Sequence, residues 1–101
     1  MTNSNPNWPF LDPPNTAVFT NVRILDGADW VRYVTHDEED GAWQFHPPNR
    51  KATMSEAAVV SLANMLRLEP RLAELADLPT GWHAWRDEKD GPWQREPRSK
   101  P

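Results

Sequence analysis

Two short clusters, Asp37-Glu38-Glu39-Asp40-Gly41 and Asp87-Glu88-Lys89-Asp90-Gly91, hold seven of the fifteen carboxylates of this chain and stand fifty residues apart. Clustered oxygens around a glycine are the raw material of a calcium loop, so their spacing is the test. With Gly41 as the sixth residue of a twelve-residue loop, His36 takes the first ligand position and Pro47 the last. With Gly91 there, Arg86 and Pro97 take them. Neither loop fits the ligand spacing of an EF-hand, which leaves only a weaker calcium site made by the two turns together, and no metal or other cofactor is expected.

The remaining reactive residue types are equally poor in constellations. His36 and His46 fall at opposite ends of an expected hairpin, too far apart to share zinc, whereas His83 could approach either. Ser55 and Ser61 precede helical segments and read as caps, and no serine lies in a glycine-rich elbow. Carboxylates at exposed turns are poorly prepared for general acid work. With four glycines there is no phosphate-binding loop. No catalytic residue can be named, and a metal-dependent or hydrolytic enzyme ranks below a binding function.

Each cluster belongs to a longer doubled phrase. Residues 35–45 and 85–95 share six of eleven aligned positions, including Trp43 with Trp93 and Gln44 with Gln94. An aromatic-rich run precedes each cluster, and together they read as strand, acidic turn and return strand. Trp30 to Thr35 is the strongest strand candidate, returning through Ala42 to His46. Pairing residue 36 with 42 would set Val31, Tyr33, Phe45 and Trp43 on one side of the sheet. The same register pairs Trp85 with Trp93 in the second hairpin, which opens at Trp82 after the Pro79-Thr80-Gly81 turn. A slip of one residue would move a strand to the other face.

Other elements must hold these hairpins. Eleven prolines punctuate the chain. Trp8-Pro9-Phe10-Leu11-Asp12-Pro13-Pro14 can be neither regular helix nor central strand and reads as an extended arm over the core. Ala17 to Thr20 is a short β-prone run, followed by Asn21 to Leu25 and a turn at Asp26-Gly27. Val59, Leu62, Ala63 and Leu66 form a helical stripe. Thr53 to Glu56 could cap a helix starting near Met54, but a strand over Val59 to Ser61, with Ser61 capping a helix over about 61–68, is preferred. Pro70 then separates a second helical piece through Leu72 and Leu75.

Composition bounds the partners. The expected organisation is one α+β domain over residues 8–95, with flexible tails at 1–7 and 96–101. Its six Trp, three Phe and one Tyr predict an aromatic core containing Trp30, Trp43 and Trp93. The absence of cysteine excludes a disulfide framework. No stretch reaches the ~18 apolar residues of a membrane span, and the N-terminus lacks a signal pattern, so a soluble, cytoplasmic protein is expected. A net charge of −4 disfavours nucleic acid and suits a basic protein.

Trp82 and Trp85 lie an odd number of positions apart, so a strand sends them to opposite faces. An exposed one would mark a binding surface. The expected binding residues are therefore Trp82, Trp85, Arg86 and Trp8, with Asp37, Glu38, Glu39, Asp87 and Glu88 in the acidic tips. Both tips on one side of the domain would make a single acidic surface.

Over Tyr33 to Phe45 and Ala76 to Arg86 the chain resembles a group of short uncharacterised bacterial proteins. The first hairpin is also similar to that of a domain family assigned to immunity proteins, which neutralise bacterial toxins by binding them. The resemblance implies protein binding and brings no catalytic residues. The expected function is non-enzymatic recognition of another protein. A small-molecule or carbohydrate binder using exposed Trp is the alternative.

Overall fold

The computed structural model describes residues 8–48 and 54–98. The first strand, β1 (Ala17–Asn21), ends at Asn21, whose side chain accepts the Arg23 N–H and caps the single turn α1 (Val22–Leu25). Strands β2 (Tyr33–His36) and β3 (Trp43–His46) flank the first acidic turn. A 3₁₀ turn, Met54–Glu56, leads into β4 (Ala57–Ser61). The Ser61 hydroxyl accepts the Asn64 N–H and starts α2 (Leu62–Leu68), so the preferred strand-then-helix reading of this segment holds. Pro70 opens a 3₁₀ helix, Pro70–Leu75, before β5 (Trp82–Trp85) and β6 (Gln94–Pro97).

Among the described residues the strands form one mixed sheet in the order β4-β1-β3-β2-β5-β6. The domain is thus a small α+β fold. The antiparallel pairs β2–β3 and β5–β6 flank the two acidic turns and meet through an antiparallel β2–β5 pairing. The β1–β4 pair, which joins the sheet by a parallel contact with β3, is the part that the doubled phrase does not foreshadow. Strand β6 also runs through Glu96 and Pro97, which the sequence reading places in the C-terminal tail. Residues 1–7 lie outside the described residues.

The first hairpin's register differs by one from that expected. His36 pairs with Trp43, Thr35 with Gln44, Val34 with Phe45 and Tyr33 with His46. Burial explains the choice: this register points Val34, Trp43 and Phe45 together at the core, whereas the expected one would have carried Tyr33 in place of Val34. Trp85 likewise pairs with Gln94 rather than Trp93. Both hairpins therefore have the same register relative to the doubled phrase.

One face of the sheet packs on α2, the 3₁₀ helix and the arm, burying Val18, Val34, Trp43, Phe45 and Ala84 against Leu62, Met65, Leu72, Leu75, Leu78 and Phe10. Each of the Val, Leu, Met and Phe side chains taken fully from water stabilises the fold by about 1.5–3 kcal/mol before its ordering entropy. The core holds a buried aromatic cluster of Phe10, Trp43 and Phe45, with Trp43 at 2% exposure, while Trp30 and Trp93 are only half-buried and aliphatic residues with Met65 complete it. Val59 also leaves the expected helical stripe: it lies on β4 at 60% exposure, and α2 buries Leu62 and Met65. No helix among the described residues is long and apolar enough to cross a membrane.

Candidate functional site

Strand alternation sends Tyr33, Thr35, Gln44, His46, His83 and Trp85 to the face opposite the helices. The Phe19–Gln44 and Phe19–Val59 pairings add Phe19 and Val59 to the same face, at 49% and 60% exposure. Helices α2 and Pro70–Leu75 pack on the other side. Tyr33 is its centre: its hydroxyl shares a 2.9 Å hydrogen bond with His83 Nδ1, its ring meets His83 edge-on at 5.5 Å, and His46 lies 6.0 Å away. Trp85 continues the row at 5.3 Å from His83.

A polar chain ties this row to the first tip. His46 Nε2 donates to Gln44 Oε1 at 3.1 Å, and Gln44 Nε2 donates to Asp37 Oδ2 at 2.7 Å. Thr35, 3% exposed between Gln44 and His83, has a hydroxyl with no hydrogen-bond partner among the described residues.

The acidic tips lie at opposite ends of the sheet, which corrects the expectation of one acidic surface. Because β2 and β5 are antiparallel, with His36 opposite Trp82 and Tyr33 opposite Trp85, the turns that follow them leave in opposite directions. Their geometries differ too. In the first, Asp37 N–H donates to Ala42 O, Ala42 N–H donates to Asp40 Oδ1, and Gly41 takes φ 70°. Pro92 replaces Ala42 in the second, so that N–H is missing and the residue before it is steered toward extended backbone. Gly91 accordingly has no positive φ.

Asp37 pairs with Arg98 at 3.5 Å and Asp87 with Arg32 at 3.4 Å, while Glu38, Glu39 and Glu88 are exposed. Trp85 reaches the uncovered face, as the alternation argument requires, and Trp82 packs against the core from the helical side. Trp8 is half-buried and donates its indole N–H to the Asp12 carbonyl. Arg86 forms no part of any surface. It is 0% exposed, donates from Nε to Val31 O at 3.0 Å, and pairs through Nη2 with Glu69 at 2.9 Å.

Two clefts lie apart from the uncovered face. One, of about 310 Å³ between α1 and the end of α2, is lined by Asp26, Asp29, Trp30, Glu69 and Lys89. The other, of about 450 Å³, opens between the arm, the first tip and residues 76–80, where Phe10, Leu11, Asp12, His36, Asp40 and Leu78 line it. His36 is held there by stacking on Trp43 at 3.9 Å and by a 2.7 Å hydrogen bond to Leu78 O. Asp77, at the rim, is held below the ordinary carboxyl range by the hydrogen bond from Arg95 and then by its charge.

The described residues contain no group of three or more histidines and carboxylates placed to hold a metal. The period-two alternation of Tyr33 with Thr35 and of His83 with Trp85 was the available signal for the uncovered face. The larger cleft had none, since it joins three distant segments.

No protein-family model, no curated protein and no solved structure matches the chain.

Proposed function

We propose that this protein is a non-enzymatic binding domain whose uncovered sheet face engages a basic partner protein. The observation that carries the reading is the aromatic row Tyr33, His83 and Trp85, continued by exposed Phe19 and Val59 and flanked at both sheet ends by acidic turns. A two-layer domain normally covers one sheet face and solvates the other, and the solvated face is then polar. Here it carries Phe, Tyr and Trp, the types that anchor interfaces once desolvated, while exposed carboxylates favour approach of a positive surface. The two similar hairpins supply this arrangement, their first strands lying side by side at its middle. Neutralisation of a toxin by binding, as in immunity proteins, is the cellular form of this activity that the first hairpin's resemblance supports.

The test is affinity capture by the full chain and by Trp85→Ala and Phe19→Ser variants, with near-ultraviolet circular dichroism checking each fold. A basic protein retained by wild type at low salt, released by salt and lost from both folded variants is the expected result. Retention of the same proteins by all three, or of none by wild type, would overturn the reading.

A further inference from the structure

The sheet ends on two edges of unlike chemistry. Strand β6 carries Arg95 and Glu96 and closes on Pro97, and charge with proline is how proteins keep an edge from pairing. Strand β4, Ala57-Ala58-Val59-Val60-Ser61, has neither. It lies in an uncharged run, residues 57–66, and its neighbour β1 lies in another, residues 13–22. Of the exposed large apolar residues, Phe19, Val22 and Val59 fall on this pair of strands or directly after it.

The ladder shows which backbone groups of β4 are unused. Leu62 N–H donates to Thr16 O at 2.8 Å, and the register sets Val60 opposite Val18 and Ala58 opposite Thr20. Bonded pairs alternate in an antiparallel ladder, so Leu62, Val60 and Ala58 turn their backbone toward β1, while Ser61, Val59 and Ala57 turn their N–H groups away from it. Val59 and Ala57 are exposed, and their backbone groups have no partner on that side among the described residues. The sequence of β4 complements itself. Set antiparallel about Val59, two copies exchange N–H to C=O bonds between their Val59 residues, and Ala57 C=O accepts the Ser61 N–H of the second copy. Ala58 then faces Val60, and no charge stands opposite a like charge. Because the chain carries a net charge of −4, a second copy is repelled where carboxylates meet and least where there are none. A basic protein has the opposite preference and is drawn to the acidic turns, so the uncharged edge selects a second copy.

We infer that the β4 edge joins two copies of this chain through an antiparallel β4–β4 pair that continues the sheet across a twofold axis. Strands β1 and β3 separate this edge from Tyr33, His83 and Trp85, so the dimer leaves that row open and does not depend on the protein partner assigned to it.

Sedimentation equilibrium of the purified full chain, from about 10 μM to about 1 mM, should show a reversible rise from 11.6 kDa toward twice that mass. Val59→Pro removes an N–H that the β1–β4 ladder does not use, and Val59→Lys places a charge at the seam. Each should weaken dimerisation at least about tenfold while near-ultraviolet circular dichroism stays native. Glu96→Gln, on the opposite edge, should change nothing. Amide hydrogen exchange of the wild type reads the same contact without a variant: the Val59 N–H should slow at least about tenfold between the low and the high concentration, whereas Val60, already bonded to β1, stays slow at both.

A wild-type chain still monomeric at about 1 mM would overturn the inference and leave the edge to solvent or to an extended segment of another protein. A dimer retained by both folded variants, or one whose Val59 N–H exchanges at the monomer's rate, would overturn it as well. Only the purified chain is present, so a capture experiment that fails on the uncovered face leaves this result unaffected.

Discussion

The Arg86 guanidinium carbon lies 4.4 Å from the centre of the Trp93 ring and is the counterpart, fifty residues on, of the His36 imidazole stacked 3.9 Å from Trp43. In both hairpins the residue that enters the turn lies against the tryptophan that leaves it. The doubled phrase thus encodes a stacked closure of each hairpin. The stacks then diverge in use, for His36 lines a cleft while Arg86 is sealed inside.

Arg86 should be the most sensitive polar position in the molecule. It also lies over Trp30 at 5.5 Å, and its loss strands Glu69 and the Val31 carbonyl. Replacing it by alanine should cost about 3–5 kcal/mol in urea unfolding, the penalty for a buried charge pair broken on one side. Arg86→Lys should recover only part of this, because an ammonium cannot reproduce the planar fork.

Thr35 should behave in the opposite sense. Its buried hydroxyl has no partner among the described residues, so Thr35→Val removes a desolvated polar group without breaking a hydrogen bond. Stability should be unchanged or raised by about 1 kcal/mol in the same assay. A loss of that size would show that the hydroxyl is satisfied in solution.

The two turn glycines should respond differently despite their matching places in the phrase. Gly41 sits at φ 70°, so Gly41→Ala should cost about 1–2 kcal/mol from backbone strain alone. Gly91 has no positive φ, and an added methyl would meet the Glu88 carbonyl at 3.4 Å, an ordinary contact. Gly91→Ala should therefore fall within about 1 kcal/mol of wild type. Comparing urea midpoints of the two variants checks the Pro92 argument directly.

Asp77 sets a pH dependence. Its folded carboxyl titrates below the ordinary value of 3.8 because of Arg95, so the pair's stabilisation is fully present above that value. As pH falls through the lowered folded value, the carboxylate is protonated and the contribution is lost. Asp77→Asn should flatten the acid limb of stability against pH below 3.8 and leave its shape at neutral pH unchanged. Thermal unfolding across that range measures both.

The elements with local causes were legible in the chain. Asp37 to Gly41 makes a turn, Ser61 caps α2, Pro70 divides the helical segment, and the odd spacing of Trp82 and Trp85 puts them on opposite faces. Even the difference between the two turns is local, because Pro92 follows Gly91 whereas Ala42 follows Gly41. Register was not legible, since sliding a strand by one residue exchanges Tyr33 for Val34 at the core, and both are β-prone. Only the helices and the arm packed on that face select Val34.

The sequence by itself determined a small α+β chain in which two strands, each followed by an acidic turn, repeat one pattern of side chains. Tertiary structure alone decided that β2 and β5 run antiparallel, which drives the acidic tips to opposite ends and gathers Tyr33, His83 and Trp85 between them. It also brought Asp12, His36 and Leu78 around one cleft. The reason is physical: turns and caps are made by neighbours along the chain, whereas a surface is made by whichever strands share hydrogen bonds, and that choice minimises exposed core over the whole molecule.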